Sequence, residues 1–398
     1  MTSPVLHHVD LLARQFHEQV DPNLLPLPQG RDIVHPAVQS AIYAHMFDET
    51  SVWPIPPVNY QTRVLKMILS RIEEAISDPE EDEIHPDLIS AWATLISQPK
   101  PSSTIHQAQQ LTYIKYTAPW PPPSSSSSSS SPPRTIITSE SRGLILAAGT
   151  TGFRTWEASL HLATYLSSTP AGAALVQGKR VIELGAGTGL VSMFCAKYLR
   201  PRSVVATDRE PALIENMRDC AGRNHLEDTS GDGDGEEQGQ GQFSAAVWEW
   251  GTPLDGGSTD TAAQQDGDPI SNEKENKNAT PTFDVALGAD LIYDTDLIPL
   301  LISTVHDLFQ NYGIKVFVIA ATLRNQETFG TFLRACGMIS FPSTFSSCVA
   351  SKLTYMGVED NSFIAEQVSF ESPSKEEQTG FFHSTDVPIQ MYRITDTK

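Results

Sequence analysis

Apolar residues recur along this chain with two different periods, and the change from one to the other divides it. Over residues 5–20, Val5, Leu6, Val9, Leu11, Leu12 and Phe16 form roughly one helical stripe. Val64, Leu65, Ile68, Leu69, Ile72, Ala75 and Ile76 repeat the i, i+3, i+4 spacing more clearly over 64–76. Ile89, Trp92, Leu95 and Ile96 predict a third helix over 86–96. None of these segments places side chains at catalytic spacing. Residues 1–102 therefore predict a helical accessory domain.

Alternation then takes over. Residues 111–117 mix β-branched and aromatic residues in a strand pattern, and 135–138 resume it. Between them lie Pro121–Pro123, the serine run Ser124–Ser131, and Pro132 and Pro133. Such a tract cannot pack, and predicts a flexible loop inside a hairpin, not a domain boundary. From Arg154 onward helices and strands alternate. Helices are predicted over 155–167, 190–199, 211–223, 297–310 and 326–336, and strands over 180–184, 203–207, 243–248, 284–289 and 315–322. The last sixty or so residues suit shorter strands ending near 390–394, at an antiparallel edge. This order predicts an α/β domain over 103–398, a parallel sheet with crossover helices. Disordered insertions are expected at about 118–134, 227–242 and 252–281.

Composition narrows the picture. A chain of 398 residues suits two domains, and 39 % hydrophobic content is ample for a core. No apolar run approaches the roughly 20 residues of a membrane helix. The first residues lack a basic flank followed by an apolar stretch, so a cytoplasmic protein is expected. Cys195, Cys220, Cys336 and Cys348 are widely spaced in mostly apolar surroundings and read as reduced thiols; neither a disulfide nor a metal is expected. The net charge of −21 is uneven: Glu227 to Ala279 holds 13 acidic residues and two lysines, a net of −11. That charge reads as a solvated insertion. No basic patch offers itself to a phosphate backbone, so direct nucleic-acid binding is not expected. A monomer is expected.

Two segments carry chemistry. In Val181-Ile-Glu-Leu-Gly-Ala-Gly-Thr-Gly189 an apolar strand runs into a glycine turn that opens a helix, where glycine permits positive φ and close approach of a ligand. Nineteen residues on, Asp208 ends the next strand, placed to accept hydrogen bonds from ribose hydroxyls. Leu190 stands where a dinucleotide fingerprint has its third glycine. Glu183 puts a carboxylate near the turn, which disfavours a diphosphate and suits an amino-acid ammonium such as that of S-adenosyl-L-methionine. Trp156, expected one turn into a helix, and Trp250, just past the third strand, are either ligand-covering aromatics or core. In the second segment, 283–294, an apolar strand ends at Ala289. Asp290 and Tyr293 then emerge at the same sheet edge, where a carboxylate and a phenol fit an acceptor amine. The alternative is that Asp290 caps the next turn.

Four blocks together, Ser139-Glu-Ser-Arg-Gly143 with Gly149-Thr-Thr-Gly-Phe-Arg-Thr-Trp156, the glycine turn, Ala206-Thr-Asp208 and Gly288-Ala-Asp-Leu-Ile-Tyr293, give a specific likeness. On them the chain resembles the seven-β-strand protein-lysine methyltransferases, in particular the family that methylates a lysine of eukaryotic elongation factor 2. Asn216 and Asn224 fit that family's asparagine pattern. The resemblance covers about 103–398. It implies a Rossmann-like seven-stranded class I methyltransferase sheet with an N-terminal helical domain, and S-adenosyl-L-methionine as cofactor. It implies cofactor contacts from Trp156, Gly185, Ala186, Gly187, Asp208, Trp250 and Ala289, and places Asp290 and Tyr293 at the methyl-acceptor side. The implied partner is a protein substrate, elongation factor 2. The serine tract and the acidic insertions depart from the family and obscure the substrate face. Another protein lysine or a small molecule as acceptor, a nicotinamide oxidoreductase, and a noncatalytic cofactor-binding scaffold are the alternatives.

Overall fold

The computed structural model of the chain describes residues 4–99, 110–120, 132–143, 150–226, 241–254, 282–336 and 363–397. The serine run, most of both acidic insertions, Gly149 and Cys348 lie outside the described residues.

The N-terminal helices are α1 (Pro4–His17), α2 (Arg31–Val34), α3 (Pro36–Ile42), α4 (Val58–Ala75) and α5 (Pro86–Ser97). Their apolar stripes converge on a core of their own that includes Leu12, Phe16, Ile42, Leu65, Ile68 and Ile72. Helix α1 stops before Val20 because Gln19 takes a left-handed φ of 53°. Strands β1 (Thr112–Thr117) and β2 (Thr135–Glu140) pair antiparallel, Thr112 opposite Glu140 and Thr117 opposite Thr135. The predicted hairpin across the serine tract therefore forms, as a two-stranded sheet separate from the main one.

The remaining elements are α6 (Glu157–Ser168), α7 (Pro170–Val176), β3 (Arg180–Leu184), α8 (Leu190–Tyr198), β4 (Ser203–Asp208), α9 (Pro211–Arg223), β5 (Gln242–Val247), β6 (Val285–Ala289), α10 (Ile298–Asn311), β7 (Val316–Thr322), α11 (Gln326–Ala335), β8 (Phe363–Gln367) and β9 (Ile389–Asp396). Seven strands form one α/β sheet in the order β5-β4-β3-β6-β7-β9-β8. The first five run parallel, while β9 is antiparallel to both β7 and β8. Strands β6 and β7 are buried along their whole length, as expected of strands covered on both faces. Val181, Leu287 and Val318 point into one apolar layer, Ile182, Phe317 and Ile319 into the other. The chain leaves β3 toward β4 and β5, then returns to the other side of β3 at β6. The crevice at that reversal lies beyond the carboxyl ends of β3 and β6, where open α/β sheets bind ligands.

A buried polar chain joins the helical layer, the hairpin and this crevice. The Glu140 carboxylate accepts from the Thr138 hydroxyl at 2.7 Å, the Thr155 hydroxyl at 2.7 Å and the Thr155 N–H at 3.1 Å. The single proton of the Thr155 hydroxyl is committed to Glu140, so the Thr188 hydroxyl donates to Thr155 at 2.7 Å. On the other side Arg142 lies 3.6 Å from Glu140. Arg142 donates to the Glu18 carbonyl at 2.8 Å, the Gln19 carbonyl at 3.1 Å and the Tyr116 hydroxyl at 2.6 Å. The Glu18 carboxylate accepts from the N–H groups of Thr117 at 2.8 Å and Phe382 at 2.9 Å.

Replacing Thr155 by Val leaves Glu140 short of a donor and Thr188 without an acceptor; a loss of about 1–3 kcal/mol is expected in chemical denaturation. Burial pushes the Glu18 carboxyl up from 4.5 to about 8. Folding thus favours its protonated form, and that contribution is full below about 4.5 and lost as pH rises through about 8. Urea midpoints measured from pH 5 to 8 should decline, with a shallower slope in Glu18→Gln; an identical slope rejects the assignment.

Candidate active site

Three glycines shape the turn after β3. Gly185, Gly187 and Gly189 have φ of +56°, +57° and +76°, which side-chain-bearing residues rarely adopt. A Cβ on Gly185 would fall 2.7 Å from Leu291 Cδ2, and one on Gly189 would fall 2.8 Å from Met217 Cγ. Along Val181 to Leu190, only Gly185, Ala186 and Gly187 keep part of their surface exposed, so the turn opens through a narrow main-chain window. The Ala186 N–H is held by the Thr207 carbonyl at 2.8 Å and the Gly187 N–H by Asp208 Oδ2 at 3.1 Å. Asp208 Oδ1 accepts from the Glu210 N–H at 3.2 Å, and burial raises this carboxyl above the ordinary range.

Glu183 is elsewhere than its sequence position suggested. Its buried carboxylate accepts from the Ser192 N–H at 2.9 Å and from the Ser192 hydroxyl, and burial pushes it up to about 7. It anchors the first turn of α8 and does not face the crevice.

Trp156 is the residue that caps α6 and not one turn inside it; its extended backbone (φ −93°, ψ 160°) ends the preceding loop. Its ring is partly buried, its indole N–H donates to the Thr151 carbonyl at 3.1 Å, and the guanidinium carbons of Arg154 and Arg324 each lie 4.9 Å from the ring centroid. Trp250 is partly buried, with Cζ2 3.5 Å from where a Gly185 Cβ would stand. Ala289 is the buried last residue of β6.

Asp290 leaves β6 with a left-handed φ of +55°. Its N–H donates to the Ala320 carbonyl at 2.8 Å. Oδ1 accepts from the Thr322 N–H at 2.9 Å; Oδ2 accepts from the Thr322 hydroxyl at 3.1 Å and from Arg324 Nη1 at 3.2 Å. The carboxylate therefore clamps the end of β7 and does not cap the turn that follows it. Burial raises its pKa, against the Thr322 N–H and the Arg324 charge. Tyr293 is 57 % exposed, within range of the charges of Arg209 and Asp208.

The structure thus brings Gly185, Ala186, Gly187, Asp208, Trp250, Ala289 and Asp290 to the carboxyl edge of neighbouring strands, and ties Trp156 to Asp290 through Arg324. Arg324 has no counterpart among the residues singled out from sequence. Its Nη2 also donates to Glu157 Oε2 at 2.8 Å, so one guanidinium joins two carboxylates and a ring. The only sequence signal is its place just beyond the carboxyl end of β7. Asn216 and Asn224 serve the hairpin: Asn216 donates to the Ser139 carbonyl at 2.9 Å, and Asn224 exchanges bonds with the Ile137 main chain at 2.7 and 3.0 Å. Among the described residues no group of three His, Cys, Asp or Glu is placed to hold a metal, and no helix is long and apolar enough to cross a membrane. Cys195, Cys220 and Cys336 are buried free thiols.

The seven-stranded order with a glycine turn at the reversal and an inserted antiparallel strand defines the class: a class I α/β methyltransferase fold. A lysine methyltransferase profile matches residues 146–233. The chain is 36 % identical over 371 residues to protein-lysine N-methyltransferase EFM3 of Chaetomium thermophilum, 93 % of each chain. It is 26 % identical over 217 residues to EFM3 of Saccharomyces cerevisiae, covering 52 % of this chain and 54 % of that one. Likeness to protein-lysine N-methyltransferase EEF2KMT of Homo sapiens is 28 % over 206 residues, 51 % and 54 % of the two chains. The chain belongs to the EFM3 family of protein-lysine N-methyltransferases.

Removing the Arg324 guanidinium takes away a charge that lowers the Asp290 pKa. Carboxyl-carbon NMR titration of Arg324→Ala should show Asp290 titrating at higher pH than in the wild type. Arg324→Lys should recover only part of the shift, because one ammonium lacks the planar fork that reaches both Asp290 and Glu157.

Proposed function

We propose that this protein transfers a methyl group from S-adenosyl-L-methionine to a lysine side chain of a protein, with elongation factor 2 as the acceptor, in the cytoplasm and as a monomer. The observation that carries the cofactor is Asp208, held against the Gly187 N–H beside the part-exposed turn. An ionised carboxylate there accepts from a ribose diol, and Leu190 stands where a dinucleotide turn has its third glycine. The residues present fit a sulfonium nucleoside: Gly185, Ala186 and Gly187 would lie along its main-chain side, Asp208 on its hydroxyls, Trp156, Trp250 and Ala289 against its rings and chain. Bound there, S-adenosyl-L-methionine would supply an activated methyl on a positively charged sulfur.

The acceptor amine, near pKa 10.4 when free, must lose its proton before it attacks. A buried channel favours the neutral amine. Asp290 has three of its roughly four acceptor positions filled, leaving one to receive an amine N–H and fix its direction. With alignment supplied in this way no strong base is required. Tyr293 forms the outer wall. Residues 103–398 are the catalytic domain, and the helical layer over 1–102 is an accessory domain. Elongation factor 2 as acceptor is supported by the resemblance of the four sequence blocks.

Purified protein incubated with labelled S-adenosyl-L-methionine and lysate from cells lacking the enzyme should label one protein, with mass spectrometry placing the methyl on a lysine of elongation factor 2. A label on another protein refutes the acceptor, and no label at all refutes the activity. Asp290→Ala should lower turnover about tenfold or more, the equivalent of about 1.4 kcal/mol, while cofactor affinity stays near wild type. Asp208→Ala should weaken cofactor binding. Unchanged turnover in Asp290→Ala removes that residue from the acceptor site.

A further inference from the structure

The outer face of the β1–β2 hairpin meets the helical layer around a cavity of about 450 Å³, within the size range of ligand pockets. Asp10, Arg14 and His17 of α1, with Trp53, Lys115 and Thr117, form much of its wall. It sits at the Thr117–Thr135 end of the hairpin, whereas Glu140, at the Thr112 end, is the residue bonded toward the glycine turn. The cavity is therefore distinct from the candidate active site.

Its charges are not balanced. Arg14 is committed: Nε donates to Asp10 at 3.0 Å, Nη1 donates to the Thr379 carbonyl at 3.3 Å, and the guanidinium lies 4.5 Å from the Trp120 ring centroid. Burial, followed by the charge of Lys115, depresses His17 to about 4, so it is neutral at physiological pH. Lys115 differs. Burial alone lowers its pKa; among the described residues no carboxylate or hydrogen-bond acceptor is matched to its ammonium. A part-buried cation without a counter-charge is unfavourable, and an incoming carboxylate would relieve it.

The rim carries the chemistry of a binding anchor. Trp53 is 51 % exposed, its ring 5.7 Å from Tyr113. The Arg223 guanidinium, paired with Asp219, lies 4.2 Å from the Tyr113 ring and 5.8 Å from that of Trp53. Tryptophan, tyrosine and arginine are the residue types that most often dominate protein interfaces.

The geometry points to this cavity and its aromatic rim as a docking site for an acidic segment of the protein substrate, with one carboxylate entering to Lys115 and the adjoining chain lying across Trp53. This rests on the reading of the chain as a protein-directed methyltransferase. Asp10 is paired with Arg14, so Lys115 leaves the recess with an excess positive charge that an acidic segment complements.

Isothermal titration of the full-length protein at low salt, with acetylated hexaglutamate amide and hexaglutamine amide as probes, tests the site. Hexaglutamate should bind and hexaglutamine should not. Lys115→Gln and Trp53→Ala should each weaken hexaglutamate at least tenfold, Lys115→Arg should retain it, and added salt should weaken it further. S-adenosyl-L-methionine titrated into the same samples checks that each variant is folded, so loss of cofactor binding is separable from loss of docking. Equal hexaglutamate affinity in wild type and Lys115→Gln, or none in wild type, overturns the site. Glutarate binding as tightly as the peptide overturns it as well, in favour of a small carboxylate.

Discussion

The buried carboxylate of Glu140 is the constraint from which the rest of the architecture follows. A carboxylate withdrawn from water must find donors on every side, and removing one of them costs more than the bond alone would suggest. Thr138 and both polar groups of Thr155 supply them, and the Arg142 guanidinium 3.6 Å away adds an opposite charge. Because Thr155 also receives the Thr188 hydroxyl, the middle of the glycine turn is tied to the end of the hairpin. Because Arg142 reaches the carbonyls of Glu18 and Gln19, that hairpin end is tied to the exit of α1. One carboxylate thus fixes three parts of the chain far apart in sequence.

A second carboxylate organises the opposite side of the crevice. A left-handed backbone at a residue other than glycine costs roughly 1–2 kcal/mol. At Asp290 it is held by its N–H on Ala320 and by three bonds to its side chain. The conformation turns the chain sharply out of β6 and sets the carboxylate against the end of β7. Arg324 then extends this grip to Glu157 and the Trp156 ring. Its side chain is 43 % exposed, so each ion pair contributes modestly; its value lies in fixing the direction of Asp290 and Trp156.

Much of this was legible in the sequence wherever the determinant is local. The glycine turn, Asp208 at the end of β4 and Asp290 at the end of β6 follow from strand-then-turn patterns a few residues long. The hairpin was legible across the serine tract because both halves alternate. Where a contact crosses the chain, the sequence is silent. Arg324 meets Asp290 and Glu157 at separations of 34 and 167 residues, and no periodicity marks it. Glu183 shows the converse: a carboxylate beside a ligand turn has two satisfactory uses, and only the placement of Ser192 decides between them. Trp156 was misplaced by one turn because α6 begins at Glu157, a boundary set by the extended backbone of the cap residue.

The helical layer is joined to the sheet domain by more than apolar contact. The Glu18 carboxylate, just past α1, bonds to main-chain groups of β1 and of the segment preceding β9, at separations of 99 and 364 residues. Phe381, fully buried, returns its N–H to the Thr117 carbonyl at 2.8 Å and packs edge-on against Phe194 of α8. The C-terminal segment is therefore a strap, bonded to the hairpin through Phe381 and to the N-terminal layer through both the Glu18 carboxylate and Arg14, whose Nη1 donates to the Thr379 carbonyl at 3.3 Å. Displacing α1 would leave a buried acid and two main-chain donors unpaired, next to the arginine that neighbours Glu140. The helical layer and the glycine turn consequently share one polar network, which runs from the carbonyls of Glu18 and Gln19 through Arg142, Glu140 and Thr155 to Thr188.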